Sequence, residues 1–273
     1  MKYKLIACDI DGTLLNSDAK LSDENAKAIT ELTKKGIIFV PATGRSFYEA
    51  PECVRNHPDI QYFISSNGAV IQNLKSGERI ENLIDGETSD EIHRKMRKCN
   101  LLLIQHKNNC SLTDSSMCSD DIMDEYNISP NFRKQILECT KPLDNLDEEF
   151  SRGEPCEMLS GCFKNVEQLD AFMEEIKDIK NIHCTGASSS IVEIVNSSAG
   201  KRNAIQILIE KLGFTTDEII TVGDSKNDLE MISMSPNSVA VSNAIENLKE
   251  KAGRIGCSND EHIIKYILEK IIR

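Results

Sequence analysis

Leu5-Ile6-Ala7-Cys8-Asp9-Ile10-Asp11-Gly12-Thr13-Leu14-Leu15 is the stretch on which the reading of the chain turns. Its first four residues form a short unbroken apolar run, as expected of a strand buried on both faces of a parallel sheet. Two carboxylates follow at the carboxyl end of that run, the edge where open parallel sheets place their ligands. In an extended chain Asp9 and Asp11 share a face, and two close carboxylates repel one another unless a cation lies between them. A hard divalent cation with oxygen ligands relieves the repulsion, and magnesium is the usual one beside phosphate. Gly12 lets the chain turn sharply behind the pair. Taken alone, an Asp-x-Asp loop is more often a solvated acidic turn, so the rest of the chain must decide.

Outward from this stretch, the first 70 residues alternate apolar runs with helical patterns, the form of βαβ units. Ser22 caps a predicted helix that ends at Lys35 before Gly36, and Ile37-Ile38-Phe39-Val40 is the next strand. Ser46 to Asn56 reads as a helix, Tyr62-Phe63-Ile64-Ser65 as a strand, and Asn67-Gly68 as the hairpin turn before Ala69-Val70-Ile71. After Asn196 the alternation resumes: a helix over Ala199 to Leu212, strands at Ile219 to Val222 and Val239 to Val241, and a last helix from Asp260. Between about Leu83 and Val195 the texture changes. Seven of the ten cysteines lie there, and Asn108 to Glu149 is polar with weak periodicity. A helix from Thr88 to Cys99, a strand at Leu101 to Ile104, and a helical stripe of Val166, Leu169, Phe172, Met173 and Ile176, read as core packing, still stand out. The expected fold is α/β: a doubly wound, mostly parallel, Rossmann-like sheet built from residues 1–82 and 196–273, with a smaller α/β domain inserted at 83–195.

A formal charge of -12 leaves no broad basic surface, which argues against nucleic acid or anionic lipid as partner. An anionic substrate then needs local positive charge from a metal, a lysine or helix N-termini. No apolar run reaches the roughly 20 residues of a membrane span, and no secretory signal opens the sequence, so the cytoplasm is the expected place and the ten cysteines are expected to be free. They form no CxxC pair, and the five histidines are scattered, so zinc-type spacing is missing.

Three further blocks bear on the Asp9 loop. Gly223-Asp224-Ser225-Lys226-Asn227-Asp228 follows a predicted strand, so that Asp224 could complete a carboxylate set and Asp228 could orient a nearby cation. Pro41-Ala42-Thr43-Gly44-Arg45 follows the second strand and sets a hydroxyl and backbone amides before a helix, a natural anion cradle. Lys201, just inside another predicted helix, offers a point charge for phosphate.

In order and context these blocks resemble the haloacid dehalogenase superfamily, whose four motifs match Asp9-Ile10-Asp11-Gly12-Thr13, Thr43-Gly44-Arg45, Lys201 and Gly223-Asp224 through Asp228. The Thr-Gly-Arg form of the second motif, Ser66-Asn67-Gly68-Ala69, and the Gly-Asp-x-x-Asn-Asp form of the fourth are similar to the Cof-type phosphatases, which carry an α/β cap of type IIB between motifs two and three. Cys8 stands where that group usually has an aromatic residue, and Val241-Ser242 where it has methionine-glycine before Asn243-Ala244. The resemblance implies a magnesium-dependent phosphatase of small phosphorylated metabolites, sugar phosphates or phosphorylated cofactors, acting as a monomer or weak dimer. Asp9 would attack phosphorus to form an aspartyl-phosphate, and Asp11 would serve as general acid and then base. Magnesium would be held by Asp9, the Asp11 carbonyl and Asp224. Thr43, the Gly44 amide, Lys201, Asn227 and the Ile10 amide would bind the phosphoryl oxygens, with Asp228 steering Lys201.

Three other readings share some of these residues. A signalling receiver also combines an acceptor aspartate, magnesium and a lysine, but it is about half this length and carries its aspartate on a middle strand. A P-loop fails because Val195 precedes Gly200 where glycine belongs, and Arg202 follows Lys201 where serine or threonine belongs. A non-catalytic phosphometabolite-binding protein is the alternative that magnesium-dependent turnover separates from a phosphatase.

Overall fold

The computed structural model describes residues 2–188 and 190–272; Met1, Ser189 and Arg273, which fall inside the expected core and insert, lie outside them. In chain order the strands are β1 (Leu5–Cys8), β2 (Ile38–Pro41), β3 (Tyr62–Ser65), β4 (Val70–Asn73), β5 (Arg79–Glu81), β6 (Leu102–Lys107), β7 (Cys110–Asp114), β8 (Thr140–Leu143), β9 (Met158–Cys162), β10 (Ile182–Ser188), β11 (Ile191–Asn196), β12 (Ile219–Gly223), β13 (Val239–Ala240) and β14 (Arg254–Ile255). The chain divides into two compact units, one of Met1–Gly44, Ala50–Ile80 and Gly200–Arg273, the other of Arg45–Glu49 and Glu81–Ala199. The sequence reading leaves residues 45–49 with the first unit.

In the first unit an all-parallel sheet runs in the order β14-β13-β12-β1-β2. β1 lies inside the sheet, between β12 and β2, and all four of its residues are fully buried, which is why its sequence is apolar without alternation. Leu5 and Ala7 pack with Ala204, Ile205 and Leu208 of the helix Lys201–Leu212. Ile6 and Cys8 point to the opposite face, as strand alternation requires. The helix Asp23–Lys34 starts where the Ser22 hydroxyl accepts the Asn25 amide, and it buries Ala28, Ile29 and Leu32; burying each of the two larger side chains stabilises by about 1.5–3 kcal/mol. Because the strands are parallel, the loops after β1, β2 and β12 leave from one edge of the sheet, and the Asp9, Thr43 and Asp224 segments are those loops.

Three expectations change here. The helix from Ser46 to Asn56 is instead a 3-10 turn, Phe47–Glu49, and a short helix, Glu52–Arg55. Pro51 accounts for the break, since it disfavours helical geometry at the residue before it and lacks an amide. Asn67-Gly68 is no tight two-residue turn: Ser65 pairs with Val70, so Ser66 to Ala69 make the connection, with Ser66, Asn67 and Gly68 all at positive φ. The last helix begins at Ile263, not Asp260; Asn259–Glu261 form a 3-10 turn capped by Ser258 and Glu261.

The second unit is a six-stranded sheet in the order β10-β11-β9-β6-β7-β8, antiparallel except between β7 and β8. Residues 108–149 are more regular than their weak periodicity suggests. They hold β7, β8 and the helices Asp120–Glu125, Pro130–Cys139 and Leu146–Phe150, each helix begun by a side-chain cap from Ser119, Ser129 or Asn145. In the helix Val166–Ile176, Phe172 and Ile176 are buried as expected, whereas Val166 is exposed.

A buried polar row crosses this unit. Glu49 Oε2 accepts both the amide and the hydroxyl of Ser46, at 2.8 and 3.0 Å. With the Ser46 proton so committed, its 3.1 Å contact with Ser111 requires Ser111 to donate. His106 Nδ1 must then donate to Ser111 Oγ at 2.9 Å, which leaves Nε2 to accept from the Ser160 hydroxyl at 3.0 Å. All five residues are at most 4% exposed.

Candidate active site

β1 hands the chain to the site at Asp9, whose amide still donates to Val222 of β12 at 2.9 Å. The backbone then leaves the ladder and closes a wide turn, with Leu14 N–H donating to the Asp9 carbonyl and Leu15 N–H to that of Ile10. Gly12 sits in this turn at φ 76°, and a Cβ there would lie 2.7 Å from Asp224 Oδ2, so both backbone and contact require glycine. The idea that Asp9 and Asp11 share one face of an extended strand is therefore corrected. Asp9 is buried at the strand's end, while Asp11 is exposed on the turn beyond it.

Lys201 Nζ joins three segments. It donates to Asp9 Oδ1 at 2.6 Å and to Asp228 Oδ1 at 2.7 Å, and all three side chains are buried. Asp228 commits its other oxygen to the amides of Asp224 and Ser225, at 3.0 and 3.1 Å, which shapes the loop after β12. Asp224 is held from the Asp9 side, where the Thr13 hydroxyl donates to its Oδ1 at 2.9 Å. Asn227 accepts from the Ser225 hydroxyl at 2.7 Å and donates to Asn67 Oδ1 at 3.4 Å. Asn67 in turn donates its amide to the Thr43 carbonyl at 3.0 Å, and its side chain lies where a Cβ on Gly44 would be only 3.1 Å away. The structure thus brings Asp9, Lys201, Asp224 and Asp228 together directly. It links Asn227 to the Thr43-Gly44 loop through Asn67, and it keeps Ile10 and Asp11 on the adjoining turn. Thr13 and Asn67 carry contacts that motif reading did not assign. Both lie within quoted motifs, but nothing in a linear sequence pairs Thr13 with a residue 211 positions away.

The charge balance is lopsided. Asp9, Asp224 and Asp228 each bring an oxygen within 4.8 Å of the others, against the single ammonium of Lys201. Burial, and after it the charge of Asp228, push the Asp9 carboxyl well above the usual carboxylate range. Burial and Asp228 likewise push Asp224 up to about 6, although Thr13 and Lys201 oppose the shift. For Lys201, burial acts to discharge the ammonium, but the carboxylates of Asp228 and Asp9 outweigh it and raise its pKa. Surplus negative charge in a dry place is relieved by protons or by a cation. The donors are all hard oxygens, so they fit magnesium and not a soft metal. With Asp228 committed to Lys201 and two amides, Asp9 and Asp224 are the side chains of this cluster, among the described residues, that could hold such an ion.

Buried carboxylates set around one lysine, on the carboxyl edge of a parallel sheet, suit chemistry at a phosphoryl group. A family model for haloacid dehalogenase-like hydrolases matches residues 6–268, and the chain belongs to that family as an enzyme of the phosphatase type. It is 30% identical over 287 residues, covering 98% of each chain, to 5-amino-6-(5-phospho-D-ribitylamino)uracil phosphatase YwtE of Bacillus subtilis (strain 168). Its fold superposes on a solved haloacid dehalogenase-like hydrolase from B. subtilis with a TM-score of 0.84, at 25% identity over 98% of this chain and 99% of that one. It also shares a fold, at TM-score 0.80 and 19% identity over 97% and 98% of the two chains, with the subclass IIB sugar phosphatase BT4131. No helix among the described residues is long and apolar enough to cross a membrane.

Proposed function

We propose that this enzyme is a magnesium-dependent phosphatase that removes phosphate from a primary alcohol of a small sugar-like metabolite, through an aspartyl-phosphate on Asp9. The observation that carries the reading is the buried line Asp9–Lys201–Asp228, which aims one carboxylate oxygen at a fixed cation on the ligand-binding edge of the sheet. An Asp9 oxygen forms a bond to phosphorus as the ester P–O bond breaks, and the departing alkoxide takes a proton from Asp11. Asp11, now a base, removes a proton from water as its oxygen attacks the same phosphorus; the acyl-phosphate P–O bond breaks and the Asp9 carboxylate returns. Thr43, the Gly44 and Ile10 amides, Asn227 and Lys201 bind the phosphoryl oxygens, and Asp228 keeps Lys201 in place. Magnesium, when held by Asp9, the Asp11 carbonyl and Asp224, supplies positive charge against the phosphoryl oxygens. Residues 1–82 and 196–273 serve as the catalytic core, and the insert at 83–195 as the cap that selects the substrate. The likeness to YwtE, whose named substrate carries its phosphate on a ribityl chain, supports an alkyl phosphate of this kind over an aryl one. The protein works in the cytoplasm, as a monomer or weak dimer.

The test is magnesium-dependent phosphate release from p-nitrophenyl phosphate by the wild type and by Asp9→Asn, which keeps the shape but cannot form the acyl phosphate. Turnover is expected to vanish with the circular dichroism unchanged. Residual activity within about tenfold of wild type, a barrier change of only about 1.4 kcal/mol, would overturn the assignment of Asp9.

A further inference from the structure

The turn after Asp9 leaves the β1 ladder, so its carbonyl groups need partners from elsewhere. Three asparagine side chains provide them. Asn243 Nδ2 donates to the Gly12 carbonyl at 2.8 Å, Asn25 Nδ2 to that of Leu14 at 3.1 Å, and Asn259 Nδ2 to that of Leu15 at 3.0 Å. They come from three separate places: the first turn of the helix Asp23–Lys34, the loop after β13, and the 3-10 turn Asn259–Glu261. Two of them are gripped in return. Asn243 Oδ1 accepts the Asn259 amide and Asn25 Oδ1 accepts the Ile264 amide, both at 3.0 Å. One step further along, Ser17 donates its amide and its hydroxyl to Asp260, each at 2.8 Å. A side-chain amide suits this work because it is neutral and carries a donor and an acceptor on one planar end.

Gly12 is where such a grip matters most. Glycine is the residue with the widest backbone freedom, and it immediately follows Asp11. Its left-handed conformation, φ 76° and ψ -2°, is one that the free chain leaves readily. Holding the Gly12 carbonyl fixes the plane of the Gly12–Thr13 peptide, and Thr13, at the far end of that peptide, is held by Asp224, so the residue that Asp11 adjoins has a fixed support on its C-terminal side. Asp9 is secured by different means, through its amide to β12 and its carboxylate to Lys201. A loosened turn would therefore move Asp11 and leave the nucleophile where it is.

We infer that Asn243 is a positioning residue for proton transfer: through the Gly12 carbonyl it sets the place of Asp11, and the Asn259 amide fixes Asn243 in turn. The inference rests on the reading of Asp11 as acid and base. The two substrates that separate positioning from general damage are p-nitrophenyl phosphate, whose leaving group departs without a proton, and glycerol 3-phosphate, whose alkoxide needs one. Asn243 is exposed, so Asn243→Ala is not expected to unfold the protein. With magnesium present, Asn243→Ala should turn over glycerol 3-phosphate about 10²-fold more slowly than wild type, the lower end of what a positioned general acid or base contributes. With p-nitrophenyl phosphate the same variant should release a burst of about one equivalent of nitrophenol per enzyme before a slow steady rate, because water activation becomes limiting while acyl-phosphate formation does not. The burst also counts competent enzyme, so misfolding shows as lost amplitude. Asp11→Asn is measured alongside. If Asp11→Asn shows this selective pattern and Asn243→Ala loses both substrates equally, or neither, the inference is overturned while the role of Asp11 stands. If Asp11→Asn itself is unselective and shows no burst, the reading of Asp11 falls, and the role of Asn243 with it.

Discussion

Thr13 is fully buried, and its hydroxyl orients Asp224, a side chain that the charge balance marks for a cation. Groups that orient a metal ligand matter nearly as much as the ligand, and losing one typically costs about 10- to 100-fold in metal affinity. Thr13→Val keeps the shape and deletes the donor. It is expected to raise the magnesium concentration for half-maximal turnover by about 10- to 100-fold, with saturated turnover little changed, whereas Thr13→Ser should restore the wild-type titration. An unshifted magnesium titration in Thr13→Val would show that the hydroxyl does not orient a ligand. At this scale the Asp9, Thr43, Lys201 and Asp224 segments were legible in the sequence because each is a short block beside a strand or helix signal. The partners of Thr13 and Asn67 were not, since each pairs side chains from loops that only the folded sheet brings together.

The loop Ser66 to Ala69 shows what elements add. Gly68 stands at φ 88°, and a Cβ there would come within 2.3 Å of the Gly200 carbonyl oxygen and 2.9 Å of the Lys201 amide nitrogen. The backbone of this loop lies directly on the start of the helix that carries Lys201. Gly77 has a similar φ of 76° but open space where its Cβ would be, so it isolates the cost of backbone strain. That strain is about 1–2 kcal/mol for a left-handed alanine. Gly68→Ala is expected to destabilise by clearly more than Gly77→Ala in urea unfolding and to lower phosphatase turnover, because the loop or the Lys201 helix must shift. Equal destabilisation with full activity would mean that the approach is looser than it looks. The local pattern Asn67-Gly68 pointed to a tight turn, and tertiary contact with Gly200 reshaped it. Similarly, the short capped helices within residues 108–149 escaped the periodicity reading, because a helix of five or six residues spans too few turns to show a face.

For the molecule as a whole, the surplus of negative charge predicts a stability that depends on pH and on a divalent cation together. In the metal-free protein Asp224 titrates at about 6, and Asp9 also well above the ordinary carboxylate value of 3.8. Between that ordinary value and the folded-state values the native protein binds more protons than the unfolded chain, so stability falls as pH rises through this window. With a chelator present, the melting temperature is therefore expected to rise on going from about pH 7 to about pH 5, before other carboxylates dominate. Magnesium at about 100 times its Kd should add about 2.7 kcal/mol near neutral pH, and Asp224→Asn should abolish that increment. A melting temperature indifferent to magnesium would exclude the carboxylate nest as the ion's site.

The polar row of the second unit carries a consequence of another kind. Its donors all point one way, from Ser160 through His106, Ser111 and Ser46 to Glu49, and each hydroxyl has its single proton already assigned. Its hydroxyl rotors are thus not independent. Turning any one breaks the bond ahead of it and leaves the next group without a donor, so the row behaves as one variable with two settings. Placing a proton on His106 Nε2 would oblige Ser160 to turn and offer a lone pair instead. A single bond made at the Ser160 end would then reach the far end of the row only if the His106 ring proton also moved from Nδ1 to Nε2, the hydroxyls turning with it and the backbone staying in place.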